Sequence, residues 1–375
     1  MRIINEKNLA YADQEKPLTL EEIQKIPYRN ATRELPSAEY VLNLFIATHG
    51  EPKIQMVHDI KDENCANDAV SLKVNNFKIG ERIYPQGTKA VGIQTLGNRM
   101  ETMKPLQSDF YYPEHLAFNP NVSLERIDLN IPRYLASKCN QGGGKIGREV
   151  TTIFGSDDRR VFNDTSYPWG CCGRVDTPIG SGSGVMIGPR HLLTVSHVIQ
   201  WNPDNTTGWI RFMPAYYNGS LPFGDAWGTL TYYKYKVSGP TIDWIEGMYD
   251  YVCVVLDRPI GNYTGWLGSK GYSDSWDGGN YWAHVGYPAD LTGVNRPTYQ
   301  GYLPLDGDFW ELDSHESMSH SFDVWPGQSG GPFFGWWSGW PYAVAVQSAQ
   351  SGSANFASGG QDMVDLIIRA RSEHP

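Results

Sequence analysis

The chain has 375 residues, 40% of them hydrophobic and 13% aromatic, enough for about two domains with a sizeable core. A net charge of −10 at pH 7 argues against the basic face that non-specific binding to nucleic acid or anionic membranes needs. No run of about 18 apolar residues occurs, which excludes a membrane-spanning helix.

Residues 1–7 lack the apolar stretch of a signal peptide. Six N-x-S/T sequons, at Asn30, Asn121, Asn163, Asn205, Asn218 and Asn262, give a weak pointer to a secretory route all the same. The five cysteines are odd in number and do not form a disulfide framework. No CxxC pair with a matching histidine cluster suggests zinc, and no metal or organic cofactor is expected.

Composition changes along the chain. All 13 Trp fall at Trp169 or later, and only five of the 40 Gly precede residue 141. The stretch Gly142-Gly143-Gly144-Lys145 reads as a flexible linker, so two parts are expected, 1–148 and 149–375. In the first, Thr19 with Glu22 three residues later predicts a capped helix that Pro27 ends. The second reads as all-β, with short β-branched and aromatic runs at 184–187, 192–195, 251–256 and 342–346 between Gly, Pro, Asn and Asp clusters. Met363, Val364, Ile367 and Ile368 recur at helical spacing and predict a C-terminal helix.

Three segments of the second part carry chemistry. The apolar run Leu192-Leu193-Thr194-Val195 leads into Ser196-His197, a rigid place to hold a general base. Asp250 opens the apolar run Tyr251-Val252-Cys253-Val254-Val255-Leu256, where a carboxylate can be buried beside an imidazole. In Gly327-Gln328-Ser329-Gly330-Gly331, glycine lets the N–H groups of Gly327 and Ser329 converge beside the Ser329 hydroxyl, as an oxyanion hole requires. The order His197, Asp250, Ser329 is that of chymotrypsin, and the intervals suit two six-stranded β-barrels with the site between them.

Residues from about 150 to 375 resemble the glutamyl endopeptidase branch of the chymotrypsin-like serine peptidases. The likeness is carried by the three segments and by Phe154-Gly155-Ser156-Asp157-Asp158-Arg159, Asn163-Asp164-Thr165-Ser166-Tyr167-Pro168, Gly184-Val185-Met186-Ile187-Gly188-Pro189 and Val285-Gly286-Tyr287-Pro288-Ala289-Asp290. It implies a serine endopeptidase with His197, Asp250 and Ser329 as triad, acting on protein or peptide substrates. It further implies a secreted precursor in which 1–148 is a propeptide, cut near 145–150 and able to act as an intramolecular inhibitor.

The departures are specific. Two cysteines that many relatives pair around the histidine are Gly182 and Val198 here. Gln328 stands where digestive proteases have the Asp that binds a new N-terminus. The family's glutamate-binding hydroxyl residue and histidine correspond to Val324 and Gln347, which puts glutamate preference in doubt. Asp323 is a further substrate-binding candidate, and Ser348 a candidate hydrogen-bond donor to Asp250. The competing readings are a catalytically silent homologue that binds protein or glycan, for which Trp336-Trp337-Ser338-Gly339-Trp340 could form a surface, and an esterase of the same fold.

Overall fold

The computed structural model describes residues 16–33, 55–57, 71–74, 77–79, 87–93, 107–125, 153–239, 241–307, 316–350 and 354–375. The linker at 142–145, the cleavage region at 145–150, Cys65 and Cys139 lie outside these residues. Two units separate by their contacts: Met1–Thr32 with Gln86–Pro375, and Arg33–Pro85. In the smaller unit, β1 (Gln55–Val57), β2 (Ser71–Val74) and β3 (Phe77–Ile79) form an antiparallel meander.

The larger unit is mostly β. Three short strands come first: β4 (Lys89–Gly92), β5 (Gln107–Ser108) and β6 (Arg160–Val161). Then follow β7 (Cys172–Thr177), β8 (Gly180–Gly188), β9 (His191–Thr194), β10 (Arg211–Pro214), β11 (Ala226–Tyr233) and β12 (Val252–Leu256). These six run in the order β10-β7-β8-β9-β12-β11, and the pairing of β10 with β11 closes them into a barrel. All five residues of β12 are buried, because β9 and β11 flank it and the C-terminal helix covers it; its Val-Cys-Val-Val-Leu sequence suits burial on both faces.

The second sheet is built from β13 (Gly268–Lys270), β14 (Trp282–Gly286), β15 (Thr298–Leu303), β16 (Leu305–Asp306), β17 (Glu316–His320), β18 (Pro332–Trp337), β19 (Trp340–Gln350) and β20 (Asn355–Gly359). It follows the path β16-β17-β20-β19-β18-β14-β15-β6 and curls into a half-barrel rather than a second closed barrel. The architecture is mostly β as expected, one closed six-stranded barrel and one curled sheet, with the helix Gln361–Glu373 at the end. That helix buries Met363, Val364, Leu366, Ile367 and Ala370, whereas Ile368 is exposed. At about 100° per residue, Ile368 falls beyond the edge of the stripe that these residues define.

The capped helix before Pro27 is a single turn, Leu20–Ile23, and Glu22 accepts from both the Thr19 N–H (2.8 Å) and the Thr19 hydroxyl (2.9 Å). The described residues of the first part that belong to the larger unit, 16–32, 87–93 and 107–125, are woven into it. β4 adds to the barrel by pairing in parallel with β11, and β5 pairs with β13. Ile23 and Phe118 are fully buried in the main core, where Phe118 lies against Tyr167, Trp336 and Trp340.

Candidate active site

Strands β9 and β12 pair antiparallel with Thr194 opposite Val252, so the residues just beyond these ends, Ser196-His197 and Asp250, come side by side. His197 sits in a short 3-10 turn, Ser196–Val198. Its Nδ1 lies 2.6 Å from Asp250 Oδ2, and its backbone N–H donates to Asp250 Oδ1 at 2.9 Å. Ser348 Oγ donates to Asp250 Oδ2 at 2.6 Å. Asp250 is fully buried, and these three hydrogen bonds hold its carboxylate in one orientation. A carboxylate only accepts, so Nδ1 carries the proton and Nε2 keeps its lone pair. Burial pulls the imidazole pKa down, and the charge and hydrogen bond of Asp250 outweigh it, leaving the pKa raised.

Ser329 follows β17 and precedes β18, on the half-barrel side. It lines one cleft of about 510 Å³ together with His197, Val324, Gly327, Gln347 and Ser348. The two sides of the cleft are tied at Ser183 of β8. Its N–H donates to Ser329 O (2.7 Å), and its hydroxyl donates to Gly327 O (2.7 Å) while accepting from the Tyr287 N–H (2.9 Å). Gly327 has φ +100°, and a Cβ there would lie 2.3 Å from Tyr287 O, so the turn needs glycine at this point. Among the described residues, neither the Gly327 N–H nor the Ser329 N–H donates to a protein acceptor, whereas the Gln328, Gly330 and Gly331 N–H groups all do.

Asp323 does not line the cleft. Its carboxylate accepts from the N–H groups of Phe154 (2.8 Å) and Asp158 (2.9 Å) and from Gln300 Nε2 (3.2 Å), which bury it behind the cleft wall; its assignment to substrate binding is corrected accordingly. Val324 and Gln347 do line the cleft, but Gln347 Nε2 already donates to Ala349 O (3.1 Å) and Phe356 O (3.4 Å). No Asp, Glu, Lys or Arg lines the cleft among the described residues.

The two positions without cysteine face each other. A Cβ on Gly182 would sit 3.2 Å from Val198 Cγ1. Cys171, Cys172 and Cys253 are buried free thiols. In the aromatic cluster, Trp336 and Trp337 are buried and Trp340 stacks on Phe110 at 4.3 Å, so these rings pack the interior instead of forming an open platform. No described group of His, Cys, Asp and Glu is arranged to hold a metal ion.

Sequence reasoning gave no role to Arg159 or Ser183. Arg159 stands in a segment quoted above for its likeness alone, and the acceptors that give it a role lie up to 169 residues away. For Ser183, the alternation of Gly and Ser in β8 marks a close backbone approach but not its partner.

No family model matches the chain. A curated glutamyl endopeptidase of Bacillus licheniformis is 28% identical over 251 residues, which is 61% of this chain and 73% of the relative. Among solved structures, a Glu endopeptidase in complex with MPD matches 59% of this chain and 100% of its own, at 19% identity and a TM-score of 0.49. The protease Anisep from Arthrobacter nicotinovorans matches 52% and 91%, at 19% identity and a TM-score of 0.39. The sequence likeness gives the class, a hydrolase of the serine endopeptidase type. Within that class, the chain resembles the glutamyl endopeptidases.

Proposed function

We propose that the chain hydrolyses peptide bonds through an acyl-enzyme, with Ser329 as nucleophile, His197 as general base and then acid, and Asp250 orienting and charge-stabilising His197. The N–H groups of Gly327 and Ser329 receive the developing oxyanion. The observation that carries this reading is the 2.6 Å contact of His197 Nδ1 with a buried carboxylate, on the same cleft as Ser329 and two unengaged N–H groups. Reaction with a fluorophosphonate probe, measured for the wild type and Ser329→Ala, tests it. Labelling of the wild type alone is expected, and labelling of the variant would refute the nucleophile.

The substrate side chain next to the cleaved bond is uncharged in this reading. A buried carboxylate or ammonium would meet no counter-charge in the described cleft, and an unpaired charge is costly to bury. Residues 1–148 are read as a propeptide or accessory segment, since every described cleft residue lies between 179 and 350. Their removal as a propeptide is kept as a step to be tested by N-terminal sequencing of active material. We further assign the protein to the extracellular space. All six sequon asparagines are exposed, as glycosylation along a secretory route requires.

A further inference from the structure

Ser329 and its oxyanion-hole neighbours stand on the loop 323–331, and the ends of the 323–328 stretch are both held by residues 154–159. Asp323 accepts from the N–H groups of Phe154 and Asp158. At the other end, Gln328 Oε1 accepts from Arg159 Nη1 at 2.8 Å and from the Trp325 N–H at 3.0 Å. Gln328 is buried beside the nucleophile, so its side chain is a handle on the peptide that carries the Ser329 N–H.

Arg159 is itself 1% exposed. A guanidinium has five N–H bonds, and here each has an acceptor. Nε donates to Asp157 Oδ1 (3.0 Å), and Nη2 donates to Asp157 Oδ2 (2.7 Å) and Asp290 Oδ2 (2.6 Å). Nη1 donates to Asp290 Oδ1 (3.1 Å) and Gln328 Oε1 (2.8 Å). Two carboxylates compensate the buried cation and fix its plane, and the remaining N–H points at Gln328. A lysine could not reproduce this planar fork.

We infer that Arg159 is a positioning residue for the oxyanion hole. It holds Gln328, and through it the Gly327–Ser329 backbone, in the conformation that reaction requires. In digestive proteases an Asp at this position needs a newly made chain terminus as its partner. Here the partner is an internal side chain, so catalytic competence does not depend on a cut near residues 145–150.

The test uses the full chain, with active sites counted by fluorophosphonate titration. Arg159→Met lowers kcat per titrated site by about 100-fold, the scale of losing an oxyanion-hole donor, and leaves KM within about threefold. Gln328→Leu, which leaves both carboxylate pairs of Arg159 intact, gives a loss of the same size, and the double variant is no worse than either single. Gln328→Glu keeps the acceptor and retains most of the rate. Unchanged kcat per site in Arg159→Met, or losses that multiply in the double variant, would overturn the inference. If Arg159→Met does not fold, Gln328→Leu against Gln328→Glu decides alone, and equal rates for these two refute it. Full-length chain retaining an N-terminal tag is expected to react with the probe. Reaction confined to cut chain overturns the independence from a new terminus. A wild type that never reacts would sink the serine endopeptidase reading itself, and this inference with it.

Discussion

Ser348 Oγ and His197 Nδ1 both bond the same oxygen of Asp250, Oδ2, each at 2.6 Å. The carboxylate therefore serves the imidazole while a hydroxyl from β19 stabilises its charge. Asp250→Asn keeps the shape but offers a donor where His197 needs an acceptor, which forces the wrong tautomer. A fall in kcat of about 10⁴-fold is expected, the scale of this replacement in a well-studied triad. Loss of less than tenfold in steady-state peptide hydrolysis would remove Asp250 from the triad.

In the proposed mechanism, the raised pKa of His197 sets the acid limb of activity. The base works only when neutral, and a raised pKa keeps it protonated to higher pH. The profile of kcat/KM should thus rise through a midpoint above the ordinary imidazole value of about 6.5. Ser348→Ala withdraws a donor from the carboxylate, leaves more of its charge for the imidazole and moves the midpoint further up. A midpoint that stays fixed or moves down would show that Ser348 does not act through Asp250.

Specificity is predicted from the walls of the cleft. Cleavage of a peptide library should follow uncharged residues. The double variant Val324→Thr with Gln347→His supplies the hydroxyl and imidazole that the glutamyl endopeptidase resemblance associates with glutamate, and should raise the Glu-to-Leu ratio of kcat/KM at least about tenfold. Dominant cleavage after Glu by the wild type would contradict this account of the cleft.

Phe118 tests how closely the first part of the chain is joined to the rest. It is fully buried among Tyr167, Trp336 and Trp340, so Phe118→Ala should cost about 3–5 kcal/mol in urea denaturation. A cost below about 1 kcal/mol would mean that these contacts contribute little to the stability of the peptidase body.

What could be read before the fold was known was local. His197 follows an apolar run, Asp250 opens one, and Ser329 lies in a glycine-rich turn, so each signal sits within a dozen residues. The capping box at Thr19 and Glu22 is local too. The roles of Asp323, Arg159 and Phe118 were not legible, because each is set by partners remote in sequence. Asp323 is engaged by Phe154 and Asp158, 169 and 165 residues away, which is why its charge could be taken for a specificity group. The second barrel was expected to close because strand runs alone do not show which edges pair.

The junction between the two parts has a consequence for handling the protein. On one side, the Glu125 N–H donates to Val161 O (2.9 Å), and Leu124 bridges to Phe162; on the other, Phe154 is held by Asp323. A protease that nicks the chain between these anchors converts one polypeptide into two that share a core. Such material would run as two bands on a denaturing gel and as a single particle on a sizing column.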